Sequence, residues 1–144
     1  MDFDPEKFRN RLYFPVRFSD LDAMGHVNNA RYLTFFEEGR AHWFREGWDL
    51  PMDSTAYPVI VARVELDYLA PIPFGVNIGV YHRVTELGGK SMKMEGWVCV
   101  EEEKGPRPAA KYLITLVWFD YQAGKSVPIP KIDRKKILAY ENGA

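Results

Sequence analysis

Hydrophobic spacing along the chain changes period more than once. Apolar residues cluster in residues 12–18, which predicts a short strand. Across residues 29–46 the spacing becomes three and four. Tyr32, Phe35, Phe36, Gly39 and Trp43 share one stripe, while Arg31, Thr34, Glu38 and Arg45 take the other side. That is an amphipathic helix. Gly39 in mid-helix costs about 1 kcal/mol relative to alanine, so a close approach to a sheet is expected to compensate. Gly47 predicts the stop. After Pro51 the period falls to two. Ile60, Ala62, Val64, Leu66 and Tyr68 alternate with Val61, Arg63, Glu65 and Asp67, which predicts a strand with one buried face. Pro71 and Pro73 end it.

Three further strands are predicted over 77–87, 91–102 and 109–120. Gly88-Gly89 joins the first two as a hairpin, and the charged, proline-bearing residues 103–108 read as a loop. In the last strand Tyr112, Ile114, Leu116 and Trp118 face one way, and Leu113, Val117 and Phe119 the other. Both faces are apolar. One helix covers one face, so a second subunit is expected on the other, and a homodimer or homotetramer follows. Residues 130–141 read as a short C-terminal helix. The order, strand then long helix then four strands, is that of an α+β domain with a helix against an antiparallel sheet. No repeat, low-complexity tract or linker divides residues 1–144, so one domain is expected.

Bulk properties narrow the function by exclusion. A net charge of −1 offers no electrostatic footprint for nucleic acid or an anionic membrane. The basic run Arg134-Lys135-Lys136 reads as the solvated face of the terminal helix. Aromatic residues make up 15%, which suggests large contact surfaces in a core or between subunits. Cys99 is the only cysteine, so an intrachain disulfide and a cysteine-rich metal site are excluded. Its alternating apolar context predicts a small buried side chain. The start, Met1-Asp2-Phe3-Asp4, lacks the basic-then-apolar layout of a secretory signal. No apolar run approaches the roughly 18 residues that a bilayer span needs. A cytoplasmic protein with no membrane partner is the expectation.

The chemistry is concentrated in one stretch, Asp20-Leu-Asp-Ala-Met-Gly-His-Val-Asn-Asn-Ala-Arg-Tyr32, between the first strand and the helix. Loops crowded with polar groups and held by rigid elements commonly carry function. A carboxylate beside the free amides of a helix N-terminus is an apparatus suited to hydrolysing an activated acyl group. The same residues also allow a plainer account, in which Asp22 helps the turn and Asn28 or Asn29 caps the helix. Competing signatures are missing. None of Ser19, Ser54, Ser91 and Ser126 sits in a Gly-x-Ser-x-Gly elbow. Gly89-Lys90-Ser91 and Gly124-Lys125-Ser126 end like phosphate loops, but Val84 and Phe119 stand where the earlier glycine belongs. His26, His42 and His82 share no ligand spacing, so neither a metal nor a cofactor is expected.

Phe18-Ser19-Asp20-Leu21-Asp22, Gly25-His26-Val27-Asn28-Asn29 and Tyr32 together resemble the signature of the hotdog-fold thioesterases, nearest to the acyl-CoA thioesterases of the 4-hydroxybenzoyl-CoA thioesterase type. The resemblance implies a sheet wrapped around the long helix, protomers paired edge to edge, and active sites at the subunit interface. It implies that Asp22 is the catalytic carboxylate, with Asp20 supporting the loop. Gly25, His26, Asn28, Asn29 and Tyr32 are then supporting or substrate-binding residues. Glu37 and Glu38 are the helix acids that another branch of the fold would use. Plant acyl-carrier-protein thioesterases, which share the core of the motif, place an asparagine two residues after the aspartate. Here that position is Met24, which leaves His26 open between catalysis, loop scaffold and substrate contact. The expected substrate is a fatty or aromatic acyl-CoA, with coenzyme A as part of the substrate. Its phosphates would be met by Arg63, Arg83 or Lys90. An acyl-carrier-protein thioesterase and a non-catalytic acyl-binding hotdog are the alternatives. Asp22 would attack the thioester carbonyl or activate water, and the sequence leaves both routes open.

Overall fold

The protein is described by a computed structural model covering residues 3–50 and 57–143. Met1, Asp2, Pro51 and Ser54, which entered the reading above, lie outside the described residues. Among the described residues six strands, β1 (Asn10–Pro15), β2 (Val59–Tyr68), β3 (Asn77–Leu87), β4 (Ser91–Glu102), β5 (Gly105–Asp120) and β6 (Lys125–Ser126), accompany two α-helices, α1 (Asn29–Glu46) and α2 (Lys131–Glu141). The sheet runs β1-β3-β4-β5-β2 with every neighbour antiparallel, and β6 adds to β5. It curls around α1, giving the expected α+β hotdog architecture.

The long helix begins where Asn28 caps it, its Oδ1 accepting Ala30 N–H at 2.9 Å. It stops at Gly47, whose N–H bonds Trp43 O at 2.7 Å. Tyr32, Phe35, Phe36, Gly39, Trp43 and Phe44 form its buried face. Gly39 is the point of closest approach. A Cβ there would lie 2.4 Å from Val80 Cγ1 and 2.9 Å from the His82 ring, so the missing side chain lets α1 settle on β3. α2 closes one end of the core through buried Ile137, with Trp43 Nε1 donating to Glu141 Oε1 at 2.8 Å. In its basic run, Arg134 bonds Gly88 O and Lys136 lies 3.7 Å from Asp49, while Lys135 is exposed.

Three expectations need correction. The first strand ends at Pro15, not at residue 18. Phe18–Asp20 is a single 3-10 turn, locked by Asp20 Oδ2 accepting Arg17 N–H at 2.8 Å. Residues 103–108 are not all loop, because β5 starts at Gly105. Pro106 and Pro108 are tolerated there since β2 pairs with β5 only from Ala110 onward, leaving this stretch on a free edge where a missing N–H costs no ladder bond. In β2 a bulge at Ala62 shifts the register by one. Val59 and Val61 therefore join Val64, Leu66 and Tyr68 on the inner face, and Ile60 does not. That face is also largely open, with Val61 49%, Val64 39% and Tyr68 50% exposed, because β2 is an edge strand with a neighbour on one side alone.

β5 shows the expected two faces. Tyr112, Ile114, Leu116 and Trp118 are buried beneath the helices, whereas Leu113 stays 42% exposed outside. A second, smaller cluster lies on the outer face of β3 and β4. There Phe3 and Phe8 cover Tyr81, Trp97 and Cys99. Cys99 is fully buried, and burial pushes its thiol far above the ordinary range. Among the described residues no helix is long and apolar enough to cross a membrane.

Candidate active site

Residues 20–29 form a tight loop between the 3-10 turn and α1. Leu21 and Val27 bridge across it, Asp22 N–H bonds His26 O at 2.9 Å, and Val27 N–H bonds Ile72 O at 2.9 Å. Gly25 takes φ +82°, the left-handed conformation that its turn requires. His26 contributes through its backbone, which also bridges Pro73, while its ring is exposed.

The two acids have separate roles. Asp20 is fully buried. Its carboxylate takes the Arg17 amide and guanidinium, with Arg31 Nε at 3.9 Å, and its main-chain oxygen accepts Asn28 N–H at 2.8 Å. The carboxylate thus locks the 3-10 turn, and the main-chain oxygen ties the turn to the start of the helix. Asp22 is half-buried. Its Oδ1 accepts Met24 N–H at 2.8 Å, an Asx turn, and its Oδ2 has no hydrogen-bond partner among the described residues.

The helix N-terminus offers one free donor. Asn28 N–H is taken by Asp20 O, Ala30 N–H by the Asn28 side chain and Arg31 N–H by Asn28 O. Asn29 N–H alone in this first turn lacks a partner among the described residues, and it sits at the positive end of the helix. An open cleft of about 290 Å³ adjoins it, lined by Asn29, Tyr32, Tyr68, Leu69, Ala70 and Pro71. Tyr32 is buried, and its hydroxyl donates to Ala70 O at 3.1 Å. Burial above all raises its phenol pKa, and the nearby Tyr68 and Asp22 add to the rise.

Other candidates lie elsewhere. Glu37 is exposed, 3.9 Å from Arg40, eight residues or about 12 Å of helical rise beyond Asn29. Glu38 borders a hollow on the β1 side of α1, with Phe14, Phe35 and Asp20. Arg63 points outward from β2 and pairs with Glu65. Arg83 is engaged by Glu95 at 3.3 Å and lies over the Phe8 ring. Lys90 is exposed in the β3–β4 turn. The three cations are not gathered at the cleft. Among the described residues no three His, Cys, Asp or Glu side chains gather as a metal site. Tyr68 is the residue that sequence reasoning missed, since it reads there as one more alternating strand position.

A curled antiparallel sheet around one long helix, with an acid-bearing loop at the helix N-terminus, defines a hotdog-fold thioesterase. The chain belongs to the thioesterase-like superfamily, whose family model matches residues 16–137, and it is a thioester hydrolase. It is 31% identical over 124 residues to the long-chain acyl-CoA thioesterase FadM of Escherichia coli, covering 85% of this chain and 92% of that one. A thioesterase of Thermus thermophilus, solved with coenzyme A and Zn, is 38% identical with a TM-score of 0.81, covering 95% of this chain and 97% of its own. The Staphylococcus aureus protein SAV2348, solved with CoA, shares the fold at a TM-score of 0.80 with 16% identity, over 92% of this chain and 84% of that one.

Proposed function

We propose that the protein hydrolyses the thioester of a fatty or aromatic acyl-CoA, releasing the acid and free coenzyme A, with Asp22 as the reacting carboxylate. One observation carries the assignment. Of the two acids in the loop, Asp20 is sealed and fully engaged, whereas Asp22 keeps one oxygen without a partner beside a helix start with one free amide. In this mechanism Asn29 N–H receives the thioester oxygen and stabilises the charge that develops there. Asp22 Oδ2 takes a proton from water as the water oxygen bonds to the carbonyl carbon. Collapse of the tetrahedral intermediate breaks the C–S bond, and the proton passes to the departing thiolate. Direct attack by Oδ2 would begin from the same geometry.

Support for the substrate class comes from the relatives, one a long-chain acyl-CoA thioesterase and another solved with coenzyme A. Lys90 and Arg63 are the exposed cations proposed for the phosphates, and Arg83 would first have to release Glu95. Two protomers would pair along the free side of β2, which brings the cleft to the interface and covers Val61, Val64 and Tyr68. The first test is turnover across a series of acyl-CoA chain lengths by wild type and Asp22→Asn. This change keeps the shape and removes the base, so the protein stays folded while hydrolysis falls about 10²–10⁴-fold. A folded Asp22→Asn that retains most of its activity refutes the assignment. Loss in Glu37→Gln instead would move the chemistry onto the helix.

A further inference from the structure

Two tyrosines cross between α1 and the chain around the end of β2, each donating to the other element's backbone. Tyr68, on the inner face of β2, donates from its hydroxyl to Asn29 O at 3.0 Å. Tyr32, from the first turns of α1, donates to Ala70 O at 3.1 Å. Their rings meet edge to face, with centroids 5.0 Å apart at 80°. The geometry is a reciprocal clamp, and the residue that it grips is Asn29, which carries the free first-turn amide.

The Tyr68 bond is not needed to satisfy the carbonyl that it reaches. Asn29 is the first residue of α1, and its oxygen is placed to accept the i+4 N–H within the helix. Nor is Tyr68 a core residue, being 50% exposed at the sheet edge. What the bond does is tie the first carbonyl of α1 to the end of β2. We infer that Tyr68 is a positioning residue for hydrolysis, holding Asn29 so that its N–H stays aimed at the thioester carbonyl. The inference rests on the proposed reading of Asp22 and Asn29.

Tyr68→Phe keeps the ring against Tyr32 and removes only the hydroxyl, so fold and melting temperature stay close to wild type. With palmitoyl-CoA and benzoyl-CoA as probes, kcat falls about 3- to 10-fold, the effect of one lost hydrogen bond felt in the transition state. KM stays within about twofold. In the amide NMR spectrum the Asn29 and Ala30 cross-peaks shift, a change that general loosening would spread over the whole helix. A wild-type kcat in Tyr68→Phe overturns the inference. A raised KM at unchanged kcat does so too, making Tyr68 a substrate contact. Asp22→Asn measured alongside separates the levels. If it is inactive while Tyr68→Phe turns over normally, only the role of Tyr68 fails; if it is active, both readings fall together.

Discussion

His82 shows how one residue can tie this fold to pH. Its ring is fully buried on β3, with Nε2 2.6 Å from Tyr112 Oη and Nδ1 without a partner among the described residues. Burial first, then the positive neighbours Arg40 and His42, lowers its pKa from the ordinary 6.5 to about 3. The unfolded chain therefore takes up a proton near pH 6.5 that the folded chain refuses until about pH 3. Between those values the unfolded state binds more protons, so stability is complete above pH 6.5 and falls as the pH drops. The slope is about 1.4 kcal/mol per pH unit, or about 2 kcal/mol by pH 5. His42, whose pKa is also lowered by burial, adds in the same direction. Urea midpoints measured from pH 7 to pH 5 should fall steeply in the wild type and clearly less steeply in His82→Gln. Equal slopes would show that His82 accepts its proton within the fold.

At the scale of elements, the seam between α1 and β3 governs the core. Gly39→Ala would gain about 1 kcal/mol of helix propensity. The added methyl would meet Val80 and the His82 ring well inside contact distance, and overpacking of that kind costs about 1–3 kcal/mol. The melting temperature should therefore fall; a rise would mean that the helix slides freely on the sheet. Much of this level was legible in the sequence. The bounds of α1 follow from its 3.6-residue stripe, its Asn28 cap and Gly47, and β3 and β4 follow from alternation and the Gly88-Gly89 turn. The bulge at Ala62 was not, because valine and isoleucine on both sides of the slip leave the alternation looking unbroken. Pro106 and Pro108 misled for a related reason: a proline forbids a ladder bond only where a neighbour is present. In the site, the preference for Asp22 over Asp20 comes from the resemblance of the motif, since spacing alone places both acids in one loop. Tyr68 stayed hidden, since its hydroxyl acts on a main-chain carbonyl 39 residues away and no local pattern encodes that.

For the whole molecule, the open inner face of β2 and the exposed Leu113 on β5 leave apolar surface that a lone protomer does not cover. Light scattering at micromolar concentration should return the mass of a dimer or a tetramer. A stable monomer would remove the proposed interfacial cleft and, with it, any dependence of turnover on protein concentration. The outer cluster has a separate, practical consequence. Cys99, the chain's one thiol, lies fully buried in the cluster capped by Phe3 and Phe8, and its proton is held tightly. Reagents that colour on meeting a thiolate have nothing to react with on the folded enzyme. The sulfur released from a cleaved thioester is then read against a blank background, and slow colour growth without substrate becomes a gauge of unfolding.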